Sequence, residues 1–546
     1  MSNVLIFGGG ISGLTVAHEL VKNNFKVTVI EKDKILGGMA KSRWESNNTT
    51  PSEHSWRGWG NHYSNLFRIM NEIPYNSNTV YNNLTRRIDF YKFGEEFEDC
   101  DSIPFTLNDW YIIISDSGKF LLSDDRRKEF YEKNAYNYYQ NKLSKKTFDY
   151  IFKFVQTAGF GMENKDGSVG HLLQFLMLPV IHPFKYKNCN KNDYDGEYCN
   201  KSTSRWHTLN QPTNDGWFNP WKEYLESQGV DFLMETELVG INVDNDKIKS
   251  VVIKNISTDT NSEIESDDYV FALNPYNLET VLKNSIPDSD IYDKFRKMNE
   301  KTTSNQISFR IGIDKDIKYP KETIGLVLNN SSSPYNITFY PQNTHWKDYD
   351  EMNIPYKTLW SGTLMDSISK GKVFDKPSIN LSKEDLKEEI KHQILSSKTF
   401  QEMIYSYNGF NIEDTDIDYI EIWYEWNIKN GELTQDYKKW INNIYNEEYR
   451  PLQKTDYINL FLAGAYTKTS ISIYSMEGAC ESGIISSNHI LEKYSKKNEQ
   501  LVVHNDPLWT KPFKVIDNIL HHIHLPSVMY IIQILFIFVI LFFLLS

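Results

Sequence analysis

Asn3-Val-Leu-Ile-Phe-Gly8-Gly-Gly10-Ile-Ser-Gly13 opens the chain, and Lys26-Val-Thr-Val-Ile-Glu31 follows it at the distance of one helix. Asn3 to Phe7 is apolar after its first residue, the pattern of a strand buried on both faces of a parallel sheet. Ile11 to Asn23 sets Leu14, Ala17 and Val21 on one side of a helix. Lys26 to Ile30 is a second, β-branched strand. The glycines fit G-x-G-x-x-G between strand and helix, and Glu31 ends the next strand roughly 20 residues on. Gly8 permits the tight turn, Gly10 lets a diphosphate approach the backbone, and Gly13 lets helix and sheet pack closely. The amides of Ile11 and Ser12 stand at the positive end of the helix, where phosphate oxygens are held. Glu31, with Lys32 beside it, faces the ribose; a carboxylate there accepts both hydroxyls and repels a 2′-phosphate. The expectation is a dinucleotide site.

Outward from this unit, a second block of strands is expected over Asp231 to Phe232, Glu237 to Val243, Lys249 to Lys254 and Tyr269 to Leu273. Asn459 to Ala463 is one more short apolar strand, and a helix follows from about Ser475 to Tyr494. The intervening segments carry mixed helical patterns such as Leu172 to Val180 and Leu386 to Leu395. No internal repeat is visible. The expected fold is α/β: a discontinuous Rossmann-like nucleotide-binding domain interleaved with a mixed α+β substrate domain, plus a C-terminal transmembrane helix. Residues 1–65, 205–275 and 455–495 form the first domain, and 66–204 and 276–454 the second. Residues 496–526 read as a linker and 527–546 as a tail anchor.

Three further segments separate FAD from NAD. Leu36-Gly37-Gly38-Met39-Ala40 follows the acidic residue closely, and its glycine pair lets the chain pass beside a cofactor. Asn459-Leu-Phe-Leu-Ala-Gly464-Ala-Tyr-Thr467 leads into Tyr474-Ser-Met-Glu-Gly478-Ala-Cys-Glu-Ser-Gly483. Glu53-His54-Ser-Trp-Arg57 precedes Leu209-Asn-Gln-Pro212 and its aromatic continuation to Trp221. In these stretches the chain resembles the flavin-containing amine oxidase superfamily, nearest its phytoene-desaturase-like and hydroxysqualene-dehydroxylase-like branch. The resemblance implies FAD as cofactor, with Gly37, Gly38 and Met39 in the extended FAD motif. It places Gly464 at the ribityl-phosphate region and Ser475, Met476 and Glu477 at the start of a helix aimed at the flavin pyrimidine edge. That helix end would stabilise negative charge on reduced flavin. It also sets Leu238 where backbone contacts adenine, and His54 and Arg57 beside the ring. Two departures stand out. Met39 replaces a usual Arg or Lys, and Ala465 replaces the acidic residue that commonly follows the Ala-Gly pair.

Several residues have two readings. Glu477 is either a first-turn acid serving its own helix or a flavin contact. Arg57 holds the pyrophosphate or steers substrate, and His54 steers substrate or pairs with Glu53. Trp206, Trp217, Phe218 and Trp221 read as packing. His521-His522-Ile-His524 has a metal-like look but sits beside the expected anchor, at the membrane interface, and lacks carboxylate partners nearby, so no metal site is expected. Cys100, Cys189, Cys199 and Cys480 are too scattered for a disulfide framework. A formal net charge of −13 argues against nucleic-acid binding, which needs clustered Lys and Arg.

Val528 to Leu545 is apolar apart from Tyr530 and Gln533, and about 27 Å long as a helix. This predicts a single-pass anchor with the body facing the cytosol; Lys511 and Lys514 lie upstream on the expected side. The expected function is removal of hydride from a carbon of an apolar small molecule, isoprenoid, carotenoid-like or sterol-precursor. Amine oxidation to aldehyde and hydrogen peroxide, and non-catalytic FAD binding, are the alternatives.

Overall fold

The computed structural model describes residues 2–545 except 46–48, 55–56, 61, 88, 94–104, 153–165, 186–205, 301–304, 321–322, 329–331, 437 and 504–505. Cys100, Cys189 and Cys199 lie outside the described residues; Cys480 is a buried free thiol.

The central layer is a five-stranded parallel sheet. Its strands are β1 (Asn3–Phe7), β2 (Lys26–Ile30), β3 (Asp231–Leu233), β4 (Asp268–Phe271) and β5 (Leu460–Leu462), in the order β3-β2-β1-β4-β5. Three distant stretches of chain thus meet in one sheet. β1 and β2 form where the apolar runs predict, because both faces are covered: Val4, Ile6, Val27 and Val29 are buried. β4 ends at Phe271 because the next carbonyl, that of Ala272, lies against the Gly8 turn. Helix α1 (Ile11–Val21) covers one face. Beyond it lie α2 (Ser64–Glu72) and a helical layer of α3 (Leu107–Leu122), α4 (Asp124–Glu132) and α5 (Val169–Lys185). Helix α6 (Met476–Lys493) lies against α1, so closely that a Cβ on Gly483 would meet the Ser12 carbonyl oxygen at 2.8 Å.

A second, six-stranded sheet runs in the order Ile417–Ile422, Ile307–Ile313, Thr358–Leu364, Ile337–Pro341, Thr323–Leu328, Asp89–Phe93. It is antiparallel except for its last pair. Its core holds Phe309, Ile311, Phe339 and Trp360 against the helices Lys383–Leu395 and Lys398–Asn408.

The C-terminal expectations need correction. The stretch 496–526 contains a helix, α7 (Lys511–His522), zipped to α4 through Arg126–Asp517 at 2.7 Å and Lys514–Asp124. Helix α8 (Val528–Leu545) follows. Among the described residues no helix is long and apolar enough to cross a membrane. The single-pass anchor, the membrane partner it implied and the placement of the body on the cytosolic side are therefore withdrawn. The physical reason lies in how α8 begins. Its first turns are docked on α3: Met529 sits against Gly118, Lys119 lies 4.7 Å over the Tyr530 ring, and Tyr111 donates to Gln533 at 3.3 Å. The apolar length beyond Gln533 is 12 residues, about 18 Å as helix, short of the roughly 20 residues that a span needs.

Candidate functional site

The Gly8 turn is held by its surroundings. Gly8 has φ +108°, and a Cβ there would meet the Ala272 carbonyl oxygen at 2.5 Å; one on Gly13 would fall on the Gly8 carbonyl oxygen. Gly10 differs. A Cβ there would make an ordinary contact with the Gly38 Cα at 3.8 Å, and one on Gly38 would meet the Gly10 Cα at 3.2 Å, so the two glycine loops run close together. With no side chain on Gly10, the backbone at the start of α1, where Ile11 and Ser12 are buried, stays approachable, which suits a diphosphate. Glu31 accepts from the Gly9 amide at 2.6 Å and the Asp33 amide at 2.9 Å. Burial raises its carboxyl above the ordinary range although those amides pull the other way. Lys32 pairs with Glu237 at 3.1 Å, next to the buried Leu238 on the strand Thr236–Asp244.

The Gly37-Gly38 loop is pinned by the aromatic segment far along the chain. Asn214 exchanges hydrogen bonds with Ser42 at 2.6 Å each way and donates to the Leu36 carbonyl at 3.0 Å. The Phe218 ring leaves no room for a side chain on Gly37, and Trp217 and Phe218 stack at 4.4 Å. Trp217, Phe218 and Trp221 are buried, as packing residues are.

Arg57 donates to the Met39 carbonyl at 2.7 Å and to the Ala40 carbonyl at 3.3 Å, tying its segment to the Gly37-Gly38 loop. Glu53 turns away from His54. It accepts from the Thr213 amide at 3.0 Å and the Thr213 hydroxyl at 2.8 Å. His54 instead shares its surroundings with Arg57, Lys439 and Gln435. Burial, then the charges of Lys439 and Arg57, push the imidazole well below its ordinary pKa, so it is neutral. His54 Nε2 and the Gln435 amide are buried beside each other, and Gln435 is the one neighbour that favours the charged imidazole. Lys439 donates to the Gln306 amide oxygen at 2.5 Å; burial, then Arg57, push its ammonium down to about 8. Lys41 is the compensated cation of the region. Burial opposes its charge, but Glu425 at 2.8 Å and Asp33 hold its pKa above the lysine range.

On the far side, the Gly464 amide donates to Ser482 Oγ at 2.9 Å, and Thr467 meets the same hydroxyl at 2.7 Å. Arg450 grips the Tyr466 and Thr467 carbonyls and the Glu447 carboxylate, where Ala465 leaves no acid. Ser475 caps α6 by accepting from the Gly478 amide at 3.1 Å, with Met476 partly buried beside it. Glu477 serves neither its own helix nor a free space. It accepts from the Asn65 amide at 2.9 Å, the Asn65 side chain at 2.8 Å and the Leu66 amide at 3.0 Å, which satisfies the start of α2. Trp440, next to Lys439, lies 5.7 Å from Tyr474 and 6.4 Å from Tyr466. The fold thus brings Gly8, Gly10, Gly13, Gly37 and Gly38 together at one sheet edge. It sets His54 and Arg57 between that edge and the segment leading to β5. Lys439, Gln306 and Gln435 escape a reading of the sequence, because no local pattern marks them and only the tertiary fold makes them neighbours.

A family profile described as flavin containing amine oxidoreductase matches residues 11–491. No curated protein matches by sequence. Among solved structures, putrescine oxidase with bound putrescine is similar at 11% identity and TM-score 0.61, over 90% of this chain and 99% of that one. Cyclohexylamine oxidase from Brevibacterium oxydans IH-35A is similar at 12% identity and TM-score 0.59, over 91% and 100%. A protein of Exiguobacterium sp. 255-15, provisionally named a protoporphyrinogen oxidase, is similar at 15% identity and TM-score 0.54, over 91% and 99%.

Proposed function

From the premise that this chain belongs to the flavin-containing amine oxidoreductase family and is an FAD-dependent oxidoreductase, we propose that it oxidises a carbon of an uncharged, apolar substrate of isoprenoid, carotenoid-like or sterol-precursor type. When bound, FAD supplies the two-electron acceptor for the C–H bond that is broken. The protein's part is to bind, orient and exclude water. In this reading the side-chain-free backbone at Gly10 and the start of α1 take the diphosphate, and Glu31 the ribose. Residues Gly464 and Ser475 to Met476 line the ring end.

The observation that supports the substrate class is the charge of the centre. His54 is neutral, and Lys439 is a cation with no carboxylate among the groups that perturb it; Arg57, the second cation, is offset by Glu53. An ammonium substrate would add a like charge to a shielded space. Two such charges 4 Å apart repel by on the order of 4 kcal/mol at an effective dielectric near 20. An apolar chain carries no such penalty.

Amine oxidation is the second reading. Two structural neighbours are amine oxidases by name, although at 11–12% identity they speak for the fold alone. An amine would have to enter as the neutral base.

Anaerobic mixing of the FAD-loaded protein with polyisoprenoid alkenes in detergent and with primary amines separates the two. Bleaching of the flavin band near 450 nm by the lipids and not by the amines is expected. Reduction by amines alone, with peroxide on re-aeration, would sink the lipid reading.

A further inference from the structure

His521 and His522 close α7, and the fold sets them against a face of α4 that lies about 400 residues away in sequence. Asp125 and Glu129, four apart on α4, share that face. The two helices are locked in register by independent contacts. Arg126 pairs with Asp517 at 2.7 Å, Lys514 with Asp124, and Arg127 with Asp506 at 2.7 Å. The Asp124 amide donates to Asn518 at 3.2 Å.

Within this frame His521 is oriented by its two ring nitrogens. Nε2 lies 2.6 Å from Glu129 Oε1, and Nδ1 faces Asp125 Oδ2 at 3.9 Å. One ligand atom each from Asp125, His521 and His522 falls within 4.8 Å of the others. Ligands of a tetrahedral ion with bonds of about 2.0–2.1 Å stand about 3.3 Å apart, a distance that small side-chain rotations reach from here. A metal-bound imidazole almost always donates its second N–H to a carboxylate, which fixes its tautomer and orientation. Glu129 stands in that position. The negative end of the α7 dipole adds a favourable field for a cation. Lys133, 2.8 Å from Glu129, and Lys514, on Asp124, are the opposing charges, and neither pairs with Asp125.

We propose that Asp125, His521 and His522 form a zinc-type site, with Glu129 orienting His521 and water in the fourth position, and that the ion pins α7 to the helical layer. Two imidazoles, a carboxylate and an open position suit Zn²⁺ better than Ca²⁺ or Mg²⁺, which take oxygen ligands. Because the imidazoles must be neutral to bind, affinity falls as the medium is acidified. The ion lends the C-terminal segment an attachment that responds to metal supply.

The full-length flavoprotein, stripped with chelator, is titrated with Zn²⁺ by calorimetry and with Co²⁺ by visible absorption. One equivalent is expected, with a tetrahedral Co²⁺ band beyond the flavin absorption. H522A and D125N should each weaken binding at least tenfold, E129Q tenfold to a hundredfold, and the control H489A not at all. His522 is exposed, so H522A leaves the fold intact; its flavin spectrum and melting curve verify this. Zn²⁺ should slow amide exchange in α7 at least tenfold in the parent and not in H522A. Binding that is absent, or equally tight in H522A, overturns the site. Unchanged exchange on saturation overturns the pinning.

Discussion

At Lys439 a positive charge stands in a shielded space whose nearest polar partner is an amide oxygen. Its pKa of about 8, against 10.5 in the unfolded chain, has a cost for folding. Below pH 8 the lysine is protonated in both states and the destabilisation is complete; it is relieved as pH rises from 8 to 10.5. The shift corresponds to at most about 3 kcal/mol, less because the side chain is partly accessible. Lys439→Met should therefore raise stability at pH 7 by about 1–3 kcal/mol in urea unfolding, and the gain should vanish by pH 10.5. If Lys439 faces the flavin, the bound-flavin spectrum of the parent should titrate near pH 8 and that of the variant should not. Gly10 gives the complementary test. Its φ is −82°, and a Cβ there clashes with nothing, so Gly10→Ala should leave apoprotein melting unchanged. By filling the cradle it should weaken FAD roughly tenfold in a fluorescence titration. Equal losses of melting temperature and of FAD would mean the position is structural.

Elements here are held by single buried side chains from far along the chain. Glu477 on α6 satisfies three donors at the start of α2, and Asn65 in turn receives the Val502 amide at 2.8 Å. Glu477→Ala strands those donors and should cost about 2–4 kcal/mol in chemical denaturation, while the wavelength of the flavin band stays put. A shifted band with intact stability would make Glu477 a cofactor contact. Glu447 works the same way between α5 and the turn after β5, through Arg450 and through His171 at 3.2 Å. Burial alone would raise its carboxyl, but Arg450 and His171 outweigh it and hold it at about 2. Its contribution is therefore complete above the unfolded carboxyl pKa near 4.3 and is lost as pH falls through 2, about 3 kcal/mol in all. Glu447→Gln should flatten that part of the acid-unfolding curve. The strands that carry the cofactor cradle were legible because each announces itself locally: Asn3–Phe7 and Lys26–Ile30 are apolar runs bounded by turn residues. The acid on α6 was legible as a residue but not in its role, since nothing near Glu477 in sequence points to the start of α2.

For the whole molecule, sequence reading stopped where partners are distant. Gln306 and Lys439 lie 133 residues apart, and His521 and Glu129 392 apart, so each pair becomes visible only in the folded chain. The C-terminal segment shows the same limit in reverse. An apolar run read alone looks like a membrane span, whereas the fold sets its first turns on α3, where Lys119, Tyr530, Tyr111 and Gln533 form a partly polar seam. Val528 is buried there, its amide donating to Asp517 at 2.5 Å, and the same Asp517 holds Arg126 on α4. Removing residues 527–546 should thus loosen α7 and the helical layer and leave the nucleotide-binding sheet alone, because the contacts of α8 run to α3 and α7. The truncated protein should keep stoichiometric FAD and an unchanged flavin spectrum. Its amide exchange should quicken in α3, α4 and α7, and the loss of Met529 from Gly118 and of Tyr530 from Lys119 should lower stability there by about 1–3 kcal/mol. Loss of FAD on truncation would show instead that the tail braces the cofactor body. Unchanged exchange in α3 would mean that α8 is not docked there in solution.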